Sequence, residues 1–460
     1  MADCDSIVVG AGPAGLAAAF WLSRREPSRQ VAVLEAAPVP GGWLRSERRD
    51  GYLCEHGPQA LRPDAAFDEL ARALALDDAI VPAAAGARRR WIGRDGRLCA
   101  VPAGPLGVLT TPLLSWRGKL RLLRERQVPP LPPTGAGAGE SVAAFVARRF
   151  GNEVAALAHA MVAGIYAGDA DRLEVESALP LLVELERSHG SVLRGLRARR
   201  RAAAPARTAR PPLLTFRGGM QGLIARLALA LGDRIETGTA VTAVARDGDG
   251  YCVRLAGGAV RRAPHVVLAC PAQQSARLLA AAAPQLAAEL DGIAYASVAN
   301  VWLGLRDDRR PSPRRGFGFL LEPRADTPVL GVLYCSDVFP EHAPAGATLL
   351  RAMVGGTRHP QAVDLDDDRL VALARAEVER HWGGAIDVAF RHVVRVRRAI
   401  PQYDRGHGAR LQRIDAGLHE LPGLQLRGNG YRGVAVTAQL GSALAPVAPT
   451  PSPSEPWQPT

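Results

Sequence analysis

Residues 6–35, SIVVGAGPAGLAAAFWLSRREPSRQVAVLE, decide the fold. SIVV (6–9) is a short apolar run that reads as a buried strand, AGLAAAFWLSRR (14–25) has helix-forming composition, and VAVLE (31–35) reads as a second strand. A strand, a tight loop, a helix and a second strand make a βαβ unit. The loop is Gly10-Ala11-Gly12-Pro13-Ala14-Gly15, a GxGxxG pattern at the strand-to-helix junction. Gly10 allows the tight turn, Gly12 lets backbone approach a pyrophosphate, and Gly15 lets helix and strand pack closely. The helix N-terminus offers free N–H groups and the positive end of a dipole to the phosphates. Glu35 follows Gly15 by 20 residues, where a carboxylate accepts hydrogen bonds from ribose hydroxyls. An acid there disfavours a 2′-phosphate and points to FAD or NAD rather than NADP.

The next stretch, PVPGGWLRS (38–46), separates the two. Alone, Pro-Gly-Gly is a turn. Six residues after Glu35, the Gly41-Gly42 pair sits where a large flavoprotein class makes a second backbone contact with its dinucleotide, and this favours FAD.

Size and charge set outer bounds. The chain has 460 residues, 47% of them hydrophobic, enough for a large core and more than one structural unit. Net charge is +12, with Lys119 the one lysine, so the excess is arginine. No zinc-finger spacing or aromatic RNA-binding signature accompanies it, and no nucleic-acid partner is expected. The six cysteines are scattered without a CxxC pair, which fits a reducing compartment and implies no metal site. Asp3 and Asp5 stand where a signal peptide carries basic residues, so no cleaved leader is expected.

Residues 98–116 carry no charge, but Pro102, Pro105 and Pro112 break any spanning helix. Arg117, Lys119, Arg121, Arg124 and Arg126 follow. Apolar surface beside cations suits a segment that dips into a membrane face, and equally a buried loop followed by a solvated basic helix. Residues 129–139 read as a loop, 194–212 as flexible, and 446–460 as a disordered tail. Residues 231–270 alternate like a small antiparallel β-layer turning at DGDG.

Beyond these signals the chain resembles the protoporphyrinogen oxidase family of the wider amine-oxidase-like FAD superfamily. The resemblance rests on GGWLRS (41–46), EHGPQALRP (55–63), RRWIGRDGRLCAVP (89–102), FGNEVAALAHAMVAGIYAGDADRLEVESALP (150–180), LTFRGGMQGL (214–223), GFGFLLEP and VLGVLYCSDVFPE (316–341), AIPQY (399–403) and GNGYRGVAV (428–436). It covers residues 5 to 445, with the motifs in the family's order. It implies an α/β fold: a discontinuous Rossmann-like FAD domain (1–88, 217–290, 404–445), a mixed-sheet substrate domain (89–103, 206–216, 291–403) and an inserted helical, membrane-associating region (104–205).

Carried over by position, the resemblance implies that Gly10, Ala11, Gly12, Pro13, Ala14, Gly15, Glu35, Gly42, Trp43, Gly57, Pro58, Gln59, Ala60, Val241, Asn429, Val434, Ala435 and Val436 contact FAD. Phe317, Gly318, Leu320 and Met353 would line a tetrapyrrole cavity, with Arg90 against a propionate. Gln59 departs from the arginine often found there. The implied reaction oxidises protoporphyrinogen IX to protoporphyrin IX by six electrons, in three rounds on FAD, each consuming O2 and yielding H2O2. No catalytic acid or base and no metal is assigned, and His56 and His407 are read as structural. A peripheral enzyme at the cytoplasmic face of the cell membrane is implied, and a homodimer is admitted. Coproporphyrinogen III as substrate, and a flavin-free binding protein on the same fold, are the alternatives; amine oxidases and carotenoid desaturases lack the GIYAGD and GFGFLL stretches.

Overall fold

The structure is a computed structural model and describes residues 2–102, 104–131, 139–202, 213–306, 315–324 and 326–444. The tail at 446–460, most of the loop at 129–139 and residues 203–212 of the Arg/Ala/Pro-rich stretch lie outside the described residues.

The βαβ unit forms as its sequence dictates. Strand Ser6–Val9 lies parallel to Val31–Leu34, with helix Pro13–Arg25 between them. The helix presents Ala14, Gly15, Ala17, Ala18 and Ala19 to the interior, so it settles close on the sheet. Three more parallel strands complete that sheet in the order Leu424–Leu426, His265–Leu268, Ser6–Val9, Val31–Leu34, Ile235–Glu236. Its strands come from the start, the middle and the end of the described chain. Beside it, Val241–Asp247, Gly250–Leu255 and Val260–Ala263 form an antiparallel layer, and Asp247 pairs with Gly250 across the DGDG turn.

A seven-stranded mixed sheet carries the other half of the molecule, in the order Val388–Pro401, Tyr295–Leu305, Thr348–Gly355, Val329–Tyr334, Gly318–Leu321, Arg90–Arg94, Arg97–Ala100. Its pairs are antiparallel except Gly318–Leu321 with Arg90–Arg94, which run parallel. Side chains alternate across it. Ala299, Val301 and Leu303, with Leu350, Ala352 and Val354, pack under helix Asp367–Trp382 against Leu370, Ala374 and Val378. The alternate positions, Val298, Asn300, Arg351 and Met353, are left for the opposite face.

Within 105–131 and 139–202 the described residues are mostly helical, with Val142–Phe150 and Asn152–Tyr166 at the core of this part. A buried ion network ties this part together. Arg149 is fully buried; its Nε lies 2.9 Å from Glu186 and 3.3 Å from Glu125, and Glu125 accepts from the Val192 amide at 2.9 Å. Among the described residues no helix is long and apolar enough to cross a membrane.

Candidate active site

The glycine loop is shaped as a backbone cradle. Gly10 takes φ +102°, open to glycine but strained for any side chain. A Cβ on Gly15 would lie 1.9 Å from the Gly10 carbonyl oxygen, so helix and loop meet only because no side chain is there. Gly12 differs: it is the N-cap of helix Pro13–Arg25, and a Cβ there would meet nothing within 4 Å. Packing does not explain this glycine; bare backbone here leaves open space beside the helix N-terminus. Gly42, at φ +56°, closes the opposite side, its Cβ position 3.4 Å from Gly12 Cα, and the Gly41 amide donates to the Ala11 carbonyl at 2.8 Å. Glu35 stands just past the second strand and accepts from the Ala11 amide at 2.7 Å and the Ala37 amide at 2.8 Å. Each of its oxygens keeps a lone pair for a hydroxyl donor. A helix N-terminus with open backbone, facing two glycines and a fixed carboxylate, fits the diphosphate and ribose of a dinucleotide.

A cavity of about 270 Å³ opens from this cradle onto the free face of the seven-stranded sheet. Pro13, Trp43, Gly57, Pro58, Asn429, Val434 and Val436 line it on the cradle side, and Met353 on the sheet side. Ala435 is the N-cap of helix Val436–Ser442, between two of these. The Asn429–Gly433 turn is held by Tyr403, whose hydroxyl donates to the Asn429 carbonyl at 2.5 Å and accepts from the Gly433 amide at 2.9 Å.

A model of flavin containing amine oxidoreductases matches residues 13–444. The chain belongs to that family. Similar proteins include the coproporphyrinogen III oxidase of Bacillus subtilis, 27% identical over 94% of each chain, and human protoporphyrinogen oxidase, 32% identical over 94% of each chain. A crystal structure from Exiguobacterium sp. 255-15 superimposes with a TM-score of 0.80 at 25% identity, covering 96% of this chain and 97% of that one. The protein is a FAD oxidoreductase of α/β architecture, and the flavin-free alternative falls with that membership.

In this flavin oxidoreductase the other residues singled out by sequence stand apart from the cavity wall. Gln59 donates to the Cys335 carbonyl at 3.3 Å, Ala60 packs with Ala87, Val338 and Phe339, and Val241 is buried where the antiparallel layer begins. Arg90 is exposed, its guanidinium 5.0 Å from the centre of the Phe317 ring. Gly318, at φ +136°, pairs with Arg90 across the parallel strands. Leu320 backs the wall from outside: a Cβ on the cavity residue Gly164 would strike it at 2.4 Å.

The oxidoreductase also places polar groups in the cavity that sequence reasoning missed. Asn300, buried and paired in register with Met353, donates from Nδ2 to the His56 carbonyl at 3.0 Å. Arg351 is buried two residues before Met353, on the same face. Its Nη1 donates to the carbonyls of Gly57 at 2.6 Å and Glu55 at 3.2 Å. The carboxyl of Glu55 is pushed up to about 7, chiefly by burial, although it accepts from the Met220 amide and the Ser46 hydroxyl, each at 2.8 Å. A single arginine inside the apolar strand TLLRAMVG (348–355) was the available signal. His56, read from sequence as structural, lines the cavity. His407 does not: its Nε2 sits 3.0 Å from the Tyr431 carbonyl and its ring stacks on Tyr403.

Proposed function

We propose that this oxidoreductase converts protoporphyrinogen IX to protoporphyrin IX, a six-electron oxidation in three two-electron rounds, with O2 as terminal oxidant and H2O2 as by-product. The observation that carries the reading is the apolar cavity between the dinucleotide cradle and the sheet. It is walled by Val298, Met353, Val396 and Ile400 and touches the N-terminal end of the glycine-loop helix at Pro13. FAD supplies the two-electron acceptor. The chain's task is to hold a flat apolar substrate against it and keep water out. In this reading the cradle residues Gly10–Gly15, Glu35 and Gly42 hold the diphosphate and ribose, the Gly57–Ala60 and Asn429–Val436 segments close around the ring system, and Val241 backs the adenine end. Arg90, stacked on Phe317, binds a propionate.

The test is a fluorescence assay. The purified, yellow protein is given protoporphyrinogen, and fluorescent porphyrin is measured beside peroxide. Three peroxides per porphyrin support the reading; no porphyrin from any porphyrinogen overturns it. A second reading, oxidation of coproporphyrinogen III, draws support from the Bacillus subtilis relative. Relative turnover of the two porphyrinogens separates them.

We also infer that the enzyme works at a membrane face. Leu106 and Leu109 are 79% and 58% exposed, and Trp116, Leu120 and Leu123 lie along one side of helix Trp116–Leu123, with Arg117, Arg124 and Arg126 exposed nearby. Apolar side chains ringed by cations suit shallow insertion into an anionic bilayer, where each cation adds about 1 kcal/mol.

A further inference from the structure

Removing hydrogen from a porphyrinogen releases protons, and the cavity must pass them on. Of the residues that line it, two carry titratable side chains, His56 and Arg351. A guanidinium has no lone pair to offer, so His56 is the one of the two whose ring nitrogen can accept a proton. Its Nε2 lies 3.3 Å from Oε2 of Glu47. Nδ1 is left without a hydrogen-bond partner among the described residues. The same Glu47 oxygen lies 3.4 Å from Nε2 of His392, while the other oxygen accepts from Arg49 Nε at 2.5 Å. Exposure rises outward along this row: the side chain of His56 is 18% exposed and that of Glu47 34%.

The neighbours set the charges. Burial raises the Glu47 carboxyl, but hydrogen bonds from Arg49 and His56 outweigh it and hold it below the usual range, so it stands ready as a carboxylate. Burial, then Arg49, pushes His392 down and keeps it neutral, and its ring is fixed by stacking on Trp302. The charged groups around His56 are therefore Glu47 and, through it, Arg49, with Arg351 in the same cavity wall.

We propose that His56 accepts the substrate proton and Glu47 carries it to solvent, given the activity proposed above. In each round a C–H bond of a bridging carbon breaks and its electron pair leaves with the hydride to FAD. A pyrrole N–H bond breaks and its electron pair stays in the ring: the bridging carbon becomes doubly bonded to the ring carbon beside it, the nitrogen becomes an imine nitrogen, and the proton passes to Nδ1 of His56. Nε2 then gives its proton to Glu47, Glu47 gives it to water, and exchange with water restores the first tautomer. The fixed geometry, Nε2 toward the carboxylate and Nδ1 free, is that of a general base oriented by an acid.

The experiment uses the full-length holoenzyme with His56→Gln, His56→Leu and Glu47→Gln. The rate of anaerobic flavin bleaching by porphyrinogen is followed against pH. His56→Gln is expected to bind FAD normally, slow bleaching about 100-fold and lose the rise of rate with pH, with free imidazole restoring part of the rate in His56→Leu. Glu47→Gln should slow it less. Independently of turnover, nitrogen-15 NMR of the resting protein should show His56 held as the Nε2–H tautomer in wild type and as a mixture of tautomers in Glu47→Gln. The wild-type rate and pH profile in His56→Gln, beside an active wild type, overturns the relay alone. A wild type that bleaches with neither porphyrinogen overturns the activity and the relay together.

Discussion

Arg351 Nη1 donates to the main-chain oxygen of Gly57 at 2.6 Å, from the middle of the seven-stranded sheet to the loop that closes the cavity. It also reaches the carbonyl of Glu55. One buried cation therefore joins the two halves of the molecule where the flavin and its substrate would meet. Arg351→Met fits the volume but takes the donor from the buried Glu55 carbonyl and the half-buried Gly57 carbonyl, each costing up to about 1–3 kcal/mol. The variant should lose roughly 2–5 kcal/mol in denaturant unfolding and purify with less flavin. Arg351→Lys, which brings a compact ammonium rather than a fork of donors, should recover only part of both.

Gly12 and Gly15 separate packing from ligand approach. Gly12→Ala adds a methyl into open space at an ordinary φ of −72°, so apoprotein stability should stay within about 0.5 kcal/mol of wild type while FAD affinity falls, because the methyl occupies the diphosphate's path. Gly15→Ala forces a contact of 1.9 Å with backbone and should destabilise the apoprotein itself. Melting curves of both apoproteins, with flavin titrations, check the contrast.

The same contrast explains what the sequence could say. The cradle was legible because strand, loop, helix and acid lie within thirty consecutive residues, each with a local requirement for its residue type. The cavity was not, because its far wall depends on register. Asn300 faces Met353 and Arg351 faces the loop only once strands fifty residues apart pair in one alignment. Charge runs mislead for a similar reason: among the arginines of the helical region, Arg149 is fully buried against Glu125 and Glu186, acids that no local pattern couples to it.

The proposed membrane contact rests on one face, and that face can be reversed. Leu106→Asp with Trp116→Asp replaces two of the most exposed apolar side chains with charges that anionic lipid repels. Sedimentation with vesicles containing phosphatidylserine should fall at least about tenfold, with turnover in detergent unchanged. Equal sedimentation of variant and wild type would remove the membrane reading.

Arg90 lies outside the cavity wall, stacked on Phe317, and its proposed work is binding rather than chemistry. Arg90→Ala should raise KM about tenfold or more, the worth of a charge-assisted contact to a carboxylate, while kcat and flavin content hold. An unchanged KM would end that assignment.

His342 makes stability depend on pH. The ring is 1% exposed, stacks on Phe339, and neither nitrogen has a hydrogen-bond partner among the described residues. Burial, with Arg48 and Arg351 nearby, pushes its pKa from 6.5 down to about 4. Above pH 6.5 the ring is neutral in both states and adds no pH dependence. Between pH 6.5 and 4 the unfolded chain takes up a proton that the folded protein refuses, so stability falls with pH, by roughly 3 kcal/mol at the lower end. His342→Phe keeps the aromatic volume and removes the proton. Its melting temperature should therefore fall less steeply than that of wild type as pH is lowered through this range, and parallel slopes would show that the ring titrates alike in both states.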